Sequence, residues 1–282
     1  SERAEIDNRL EVNNITGTVQ EAQIKVTCAY RNEQAGSVEK TVRLQPGVNN
    51  LSLPLSIDSP HLWMPNGWGE AALYAFEVSV CVAKKQHQIG LRTVRVVHEK
   101  DSLGMSFYFE VNGIPMFAKG TNLIPSDALL PRVTRERYVR LLDDVQAAHM
   151  NMIRVWGGGI YEDDAFFEEA DKRGILVWQD FMFACTPYPH DPAFLKRVSE
   201  EAVYNIKRLR NHASLAMWCG NNEIYEGLRY WGWKKKYAPE IYQQMLDGYD
   251  VLFRRLLPEK VKEFDPGRFY LEGSPYEANW GR

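Results

Sequence analysis

Apolar and polar residues alternate along much of the first 97 residues, which is the period of a β-strand with one buried face. The clearest runs place apolar side chains at every second position: Ala22, Ile24, Val26, Cys28 and Tyr30, then Tyr74, Phe76, Val78, Val80 and Val82. Turn-forming pairs such as Pro46-Gly47 and Asn66-Gly67 separate these runs. Several short strands at this spacing predict an antiparallel β-sandwich over residues 1–97.

After about residue 115 the pattern changes to short apolar strands that alternate with amphipathic helices. We predict five strands, near residues 117–120, 152–156, 175–178, 215–218 and 269–271. Four helices separate them, the last running from Pro239 to Phe264. Apolar strands that helices cover on both faces predict a parallel sheet, so residues 98–282 form an α/β domain.

This α/β domain is short for a closed barrel. A (β/α)8 TIM barrel usually needs about 250 residues, and residues 98–282 supply fewer. We therefore predict a TIM barrel that is truncated after about the fifth strand, in a parent protein that continues past Arg282. A complete, smaller doubly wound sheet is the alternative, although no G-x-G-x-x-G motif follows the first strand to indicate dinucleotide binding.

Composition excludes several classes of partner. With a net charge of −3, the chain lacks the basic excess that nucleic-acid binding usually requires. No stretch reaches the ~20 apolar residues of a membrane-spanning helix, and the segment after Ser1 does not resemble a signal peptide. The compartment is therefore unknown, with a periplasmic, secreted or lysosomal type as the working assumption, and the oligomeric state is not indicated. The sequons at Asn14 and Asn50 are short enough to occur by chance.

Cysteines and histidines indicate neither a metal site nor a cofactor. The four cysteines lie far apart, and small buried apolar roles are the favoured interpretation for Cys28, Cys81, Cys185 and Cys219. A Cys28–Cys81 disulfide between two sheets is the alternative. The six histidines form no H-x-x-x-H pair and none lies close to a cysteine.

Polar side chains follow the predicted parallel strands at their carboxyl ends, where barrel enzymes place their functional residues. Carboxylates, amides and indoles suit a sugar, because amides and carboxylates bind hydroxyl groups while indole faces cover its C–H side. Glu223 follows an apolar strand, so we expect partial desolvation to raise the pKa of its carboxyl group toward that of a general acid. An ordinary glutamate at a helix start is the alternative. The strand ends read Thr121-Asn122, Trp156-Gly157-Gly158-Gly159, Gln179-Asp180, Asn221-Asn222-Glu223 and Glu272-Gly273-Ser274.

Longer segments of the chain resemble the β-mannosidases of glycoside hydrolase family 2. The resemblance is carried by FYFEVNGIPMFAKGTNLIPSD, NMIRVWGGGIYEDDAFFEEADKRGILVWQDFMFAC and LAMWCGNNE, and upstream by LWMPNGWGEAALY and IGLRTVRV. It implies an immunoglobulin-like antiparallel β-sandwich followed by the first part of a catalytic (β/α)8 barrel. It also implies a retaining hydrolase, without a cofactor, that releases terminal β-D-mannose from β-mannoside oligosaccharides or glycoconjugates.

The resemblance assigns roles residue by residue. Glu223 matches the acid/base of the family's Asn-Asn-Glu motif, and Asn222 matches the asparagine that contacts the sugar 2-hydroxyl. Arg154 matches the arginine that orients the nucleophile. An arginine in an apolar strand needs an anionic partner in any case, so a purely structural ion pair is the alternative for Arg154. Trp156 matches the tryptophan of the Trp-Gly-Gly-Gly motif, which is the main reason to expect mannose.

Trp231 and Asp180 complete the predicted site. Trp231 resembles a tryptophan of the pocket wall, with a packed loop anchor as its alternative. Asp180 fits a polar pocket residue, with a supporting role as its alternative. The family's nucleophile is a glutamate at the end of the seventh barrel strand. Glu272, which follows the fifth strand, is the alternative nucleophile, although it lies at the wrong strand for the family pattern. We therefore expect this chain alone to hydrolyse no mannoside.

Two rival functions stay open at this stage. The same mechanism could act on galactose, glucose or glucuronic acid, as in a β-galactosidase or β-glucuronidase of the same family. Alternatively, the chain is a non-catalytic sugar-binding fragment whose sandwich, with Trp63 and Trp68, is the functional part.

Overall fold

The structure, a computed structural model, describes residues 3–100 and 102–276. The chain forms two compact units. The first extends to Trp63 and includes Ala71–Leu91, and the second contains Met64–Glu70 and the described residues from Arg92 onward. The sequence pattern placed the domain limit at residue 97, and as a division into functional domains that limit stays a prediction.

Antiparallel strands build the first unit. They are β1 (Arg3–Asn14), β2 (Gln20–Tyr30), β3 (Glu33–Leu44), β4 (Gly47–Asp58), β5 (Tyr74–Val80) and β6 (Ala83–Ile89). One sheet has the order β3-β2-β5-β6, and β1 pairs with β4 in the other. Both sheets contribute to one apolar core, which contains Ile24, Val26, Cys28, Leu53, Leu55, Ile57, Tyr74 and Phe76. The predicted antiparallel sheets are confirmed. The alternating apolar residues of β2 and β5 form part of this core.

The cysteines differ from the sequence interpretation. Cys28 is buried in β2, where burial raises the pKa of its thiol to about 11. Cys81 is exposed, with a φ of 52°, because the chain reverses direction between β5 and β6 instead of continuing the strand to Val82. Cys185 is exposed as well, and all four cysteines are free thiols. Buried roles for Cys81 and Cys185 are therefore wrong, and so is the alternative of a Cys28–Cys81 disulfide.

An antiparallel and a parallel sheet build the second unit. The antiparallel sheet contains β7 (Val94–Val97), β8 (Tyr108–Val111) and β9 (Ile114–Met116). The parallel sheet has the order β10 (Gly120–Leu123), β11 (Met152–Val155), β12 (Leu176–Asp180), β13 (Leu215–Cys219) and β14 (Phe269–Leu271). The predicted parallel sheet of five strands is confirmed. The spatial order of its strands follows their order in the sequence, without the reversal that a doubly wound sheet contains.

Helices separate these parallel strands. They are α1 (Arg135–Ala147), α2 (Asp164–Arg173), α3 (Pro192–Leu209), α4 (Ile224–Tyr230), α5 (Trp233–Lys236), α6 (Pro239–Tyr249) and α7 (Leu257–Phe264), with a 3₁₀ turn at Leu130–Arg132. A π-helical segment, Asp250–Leu256, joins α6 to α7, so the predicted helix from Pro239 to Phe264 is continuous but wider at its centre. Among the described residues, no helix combines the length and apolar character needed to cross a membrane.

Two local predictions need correction. The entry strand begins at Gly120 rather than near Phe117, which is 79% exposed. Gly120 packs so closely on β11 that an added Cβ would lie 2.0 Å from the carbonyl oxygen of Met152. The loop predicted around Trp231 and Trp233 is only a two-residue connection: Trp231 and Gly232 link α4 to α5, and Trp233 begins α5.

Local signals determine where the helix–strand units begin and end. The Asp163 side chain accepts a hydrogen bond from the Ala165 backbone N–H and caps α2. Asp191 caps α3 in the same way, with Pro192 in the first turn. Gly174 ends α2 in the left-handed conformation, so that β12 can start two residues later.

Replacing Gly174 with alanine is expected to destabilise the protein by about 3 kcal/mol or more. Its φ is 70°, and an added Cβ would lie 2.6 Å from the Asn66 nitrogen and 2.8 Å from the Met64 oxygen. Gly113→Ala is the matched control, because Gly113 has a φ of 78° and no atom within 4 Å of the added Cβ. Urea unfolding measures both variants, and equal losses would contradict the steric argument.

Candidate active site

The carboxyl ends of the parallel strands bring polar side chains together. Across β10, β11 and β12, the register places Arg154 beside both Asn122 and Trp178. Asp180 ends β12, and Asn222 follows β13 by three residues. Within residues 3–100 and 102–276, no group of three or more His, Cys, Asp or Glu side chains could hold a metal ion.

Arg154 and Asp180 form a bidentate ion pair. The Arg154 Nη2 lies 2.7 Å from Asp180 Oδ2, and its Nε lies 3.2 Å from Oδ1. The indole N–H of Trp178 donates to Oδ1 at 2.9 Å, and the backbone N–H of Gly157 donates to Oδ2 at 3.0 Å. Burial raises the pKa of the Asp180 carboxyl, while Arg154 and the two N–H donors oppose that rise.

Burial changes the interpretation of Asp180. Its side chain is 0% exposed, and each carboxylate oxygen accepts two hydrogen bonds. The geometry therefore favours the alternative role, support of Arg154, over direct contact with a sugar. Arg154 itself is 17% exposed, and its guanidinium lies over the Trp178 ring, 5.5 Å from the centroid.

Arg154 also fixes the amide of Asn222. Its Nη2 donates to Asn222 Oδ1 at 2.9 Å. The Asn222 backbone is held as well, since its N–H donates to the Phe183 carbonyl and its carbonyl accepts from the Cys185 N–H, both at 2.9 Å. With Oδ1 engaged by Arg154, the Nδ2 group of Asn222 is the donor that faces Cys185 Sγ, 3.5 Å away.

Glu223 lies at the junction between β13 and α4. Its φ is 60°, in the left-handed region that few non-glycine residues adopt. Its backbone N–H donates to the Ser274 carbonyl at 2.9 Å. The side chain is partly exposed and makes no capping bond to α4, and its Oε2 lies 3.6 Å from Cys185 Sγ. An ordinary helix-capping glutamate would instead bond to the first turn of α4.

Each of the two predicted tryptophans packs close to a glycine. The Trp156 indole covers Gly158, where an added Cβ would lie 2.0 Å from the ring. Trp231 is 45% exposed and meets Trp233 edge to face at 5.5 Å, and both rings pack close to Gly227 of α4. Gly227 follows Glu223 by one helical turn, since its N–H donates to the Glu223 carbonyl. Contact of either indole with a sugar stays a prediction.

Glu272, the alternative nucleophile, follows β14 and is engaged in its own ion pair. Its carboxylate accepts hydrogen bonds from Arg254 at 3.0 and 3.2 Å and from the Tyr249 hydroxyl at 3.3 Å. A cavity of about 330 Å³ lies beside it, lined in part by Phe269. The described lining includes neither Arg154 nor Glu223, so this cavity is distinct from their network.

Sequence reasoning missed two side chains of this network, Trp178 and Cys185. Trp178 could have been found, because residues two apart in a strand share a face and Trp178 precedes Asp180 by two. No sequence signal indicated Cys185, which lies on the loop after β12. The network thus joins four predicted residues, Arg154, Asp180, Asn222 and Glu223, through contacts that only the fold determines.

Comparison with known proteins places these residues in a family context. A family model described as "Glycosyl hydrolases family 2" matches residues 1–92. A protein named beta-mannosidase B from Aspergillus fumigatus is 43% identical over 78% of this chain and 27% of its own length. A second beta-mannosidase B, from Aspergillus clavatus, is 39% identical over 98% of this chain and 33% of its own length.

Solved structures give the same relation. The beta-D-mannosidase from Dictyoglomus thermophilum superimposes with a TM-score of 0.89 at 38% identity, over 99% of this chain and 34% of that protein. A beta-glucuronidase from Bacteroides uniformis superimposes with a TM-score of 0.76 over 95% of this chain and 31% of that protein. At 22% identity this second likeness concerns the fold alone. The chain thus spans about a third of the length of the relatives that it matches.

Proposed function

This chain belongs to glycoside hydrolase family 2, and on that premise we propose that the protein containing it is a retaining β-mannosidase. Its substrates are β-mannoside oligosaccharides or glycoconjugates, from which it releases terminal β-D-mannose. The observation that carries the proposal is the network in which Arg154 holds the Asn222 amide directly beside Glu223. This network lies at the carboxyl ends of parallel strands, where barrel enzymes bind their substrates.

Glu223 is proposed as the acid/base of a double displacement. In the first step its carboxyl proton passes to the glycosidic oxygen while a second carboxylate attacks the anomeric carbon. The bond to the leaving group breaks, and a glycosyl ester forms. In the second step the Glu223 carboxylate takes a proton from water, whose oxygen attacks the anomeric carbon and releases the second carboxylate. Two inversions leave the sugar with its original configuration.

The neighbouring residues bind and orient the sugar in this proposal. The Asn222 Nδ2 group donates toward the 2-hydroxyl, because Arg154 occupies the Oδ1 atom of the same amide. Arg154 holds the Asn222 amide with one guanidinium nitrogen and, in the assembled site, orients the attacking carboxylate. Asp180 holds Arg154 in place through the bidentate ion pair. Trp156 and Trp231 supply apolar surfaces for the C–H faces of the pyranose and the leaving group.

The attacking carboxylate is proposed to lie outside this chain. Glu272 is held by Arg254 and Tyr249, which supports a structural ion pair rather than a free nucleophile. The family resemblance also places the nucleophile at the end of the seventh barrel strand. The five sequential parallel strands would then be the first arc of a (β/α)8 barrel, and the first unit an immunoglobulin-like sandwich.

Mannose is favoured over galactose or glucuronic acid for two reasons. The Trp156-Gly157-Gly158-Gly159 segment resembles the mannosidase motif, and its packing requires small residues after the indole. The relatives named as β-mannosidases are also 38–43% identical to this chain, whereas the β-glucuronidase is 22% identical. A role as a non-catalytic sugar-binding fragment would leave the geometry around Glu223 without a use.

A panel of nitrophenyl β-glycosides tests this function. We expect the full-length protein that contains this chain to hydrolyse the β-mannoside at least about tenfold faster, in kcat/KM, than the galactoside, glucoside and glucuronide, since one well-placed hydroxyl contact discriminates by at least that factor. The chain alone should show no turnover. Preference of the full-length protein for another glycoside would replace mannose, and turnover by the chain alone that Glu272→Gln abolishes would place the nucleophile at Glu272.

A further inference from the structure

Two non-glycine residues with left-handed backbone face each other at the ends of neighbouring strands. Cys185 has a φ of 57° and Glu223 has a φ of 60°. This conformation costs a residue with a Cβ about 1–2 kcal/mol, and it persists where the surrounding structure enforces it, frequently at functional sites. The loop after β12 and the loop after β13 therefore share one strained arrangement that includes the proposed acid/base.

Backbone hydrogen bonds hold the two loops together. The Asn222 N–H donates to the Phe183 carbonyl, and the Cys185 N–H donates to the Asn222 carbonyl, both at 2.9 Å. Ala184 and Asn222 thereby form a parallel β-bridge beyond the ends of the strands. These bonds fix the main chain beside Cys185 and Glu223, whose side chains are in contact.

The Cys185 thiol lies between the two groups that act on the sugar. Its sulfur is 3.6 Å from Glu223 Oε2 and 3.5 Å from Asn222 Nδ2. A thiol can donate one weak hydrogen bond and accept another, so one sulfur atom can serve both neighbours. Cys185 is also an exposed residue with a free thiol.

We propose that Cys185 is a positioning residue for the acid/base, with its S–H donating to the Glu223 carboxylate and its sulfur accepting from the Asn222 amide. The inference rests on the proposed function, because it concerns the same reaction. Through these contacts Cys185 sets the direction of the carboxyl group relative to the amide that binds the 2-hydroxyl. Its loss should therefore act on proton transfer more than on sugar binding.

Alkylation of the thiol tests the contact in the chain itself, without any assay of activity. Iodoacetamide reacts with the thiolate: a carbon–sulfur bond forms, the carbon–iodine bond breaks and iodide leaves. Burial raises the pKa of the Cys185 thiol, the Asn222 amide opposes that rise, and the Glu223 carboxylate adds to it. We expect Glu223→Gln to speed alkylation of Cys185 about fivefold near pH 8, since one unit charge at about 4 Å in water changes the thiolate population by that factor.

Mass spectrometry follows each peptide over pH 6–10, and exposed Cys81 in the first unit is the internal control. Its profile should be the same in both proteins. A Cys185 profile that Glu223→Gln leaves unchanged would overturn the proposal. Because this result does not depend on hydrolysis, it stands or fails separately from the mannosidase assignment.

Leaving-group dependence tests the positioning role in the full-length protein. We expect Cys185→Ala to slow alkyl β-mannosides at least about tenfold more than dinitrophenyl β-mannoside, whose departure needs little protonation. Cys185→Ser restores a hydroxyl donor and should recover part of the loss, whereas Cys81→Ser should change nothing. Equal slowing of both substrates, with no recovery by serine, would mean that Cys185 is only a packing residue.

Discussion

Glu223→Ala in the full-length protein is expected to lower kcat for alkyl β-mannosides by about 10²–10⁴, the usual contribution of a general acid. The effect on dinitrophenyl β-mannoside should be much smaller in the first step, because that leaving group departs without a proton. Its second step should still be slow, since no carboxylate activates the water. Steady-state kinetics with substrates of graded leaving-group acidity measures both steps.

Azide and a nearby glutamate supply the controls for this prediction. Azide is a nucleophile that needs no general base, so it should accelerate the Glu223→Ala variant with the activated substrate and yield a β-mannosyl azide. Glu226→Ala removes the same charge three residues further along, in the first turn of α4, and should leave the kinetics unchanged. If alkyl mannosides turned over at the unaltered rate, Glu223 could not be the acid.

The spacing of the apolar residues predicted the two kinds of sheet, because a strand buried on one face alternates apolar and polar residues while a strand buried on both faces is apolar throughout. In β2 the alternation that includes Ile24 and Val26 matches the buried face of the strand. Around β13 the unbroken apolar run predicted a strand covered on both faces, and all five of its residues are buried. The same reasoning misplaced Val82, since periodicity cannot distinguish a strand that continues from a two-residue hairpin turn. Val82 is completely exposed at that turn.

Only the residues that follow the strands or match the family's motifs could be predicted as part of the candidate site. Arg154 in an apolar strand required an anionic partner, and the structure identifies this partner as Asp180. The supporting role of Asp180 could not be read from the sequence, because it depends on a register that pairs Arg154 with Trp178. Cys185 was harder still, since its position beside Glu223 follows from left-handed backbone at both residues. Such strain arises from tertiary bridges, which no local pattern encodes.

Burial also distinguishes the two carboxylates to which the proposed mechanism gives different roles. Glu223 is partly exposed, whereas Asp180 is completely buried and has donors at both oxygens. A carboxylate that must exchange protons with substrate and water needs access, while one that anchors a cation needs shielding. The exposure of Glu223 therefore suits the proposed proton transfer, and the burial of Asp180 suits it to hold Arg154. The Arg154–Asp180 pair in turn fixes the Asn222 amide.

Breaking that pair on one side is expected to be the most destabilising change in the network. Arg154→Met should lower the free energy of unfolding at pH 7 by about 3–5 kcal/mol, because it leaves the buried Asp180 carboxylate without its cation. Arg255→Met is the matched control. Arg255 forms a 2.6 Å pair with Asp250, but its side chain is 71% exposed, and exposed pairs contribute about 0–1 kcal/mol. Urea unfolding followed by tryptophan fluorescence measures both variants.

A double-mutant cycle and a change of pH identify the cause of this loss. Asp180→Asn in the Arg154→Met background removes the unpaired charge, so the double variant should be more stable than Arg154→Met alone. Burial raises the pKa of Asp180 in the folded state, and losing Arg154 should raise it further, so the folded variant takes up a proton that the unfolded chain releases above about pH 4. The stability of Arg154→Met relative to the parent chain should therefore recover as the pH falls from 7 to 5. The pair would contribute only packing if the stability losses of the single variants Arg154→Met and Asp180→Asn added up to that of the double variant within about 0.5 kcal/mol and did not change with pH.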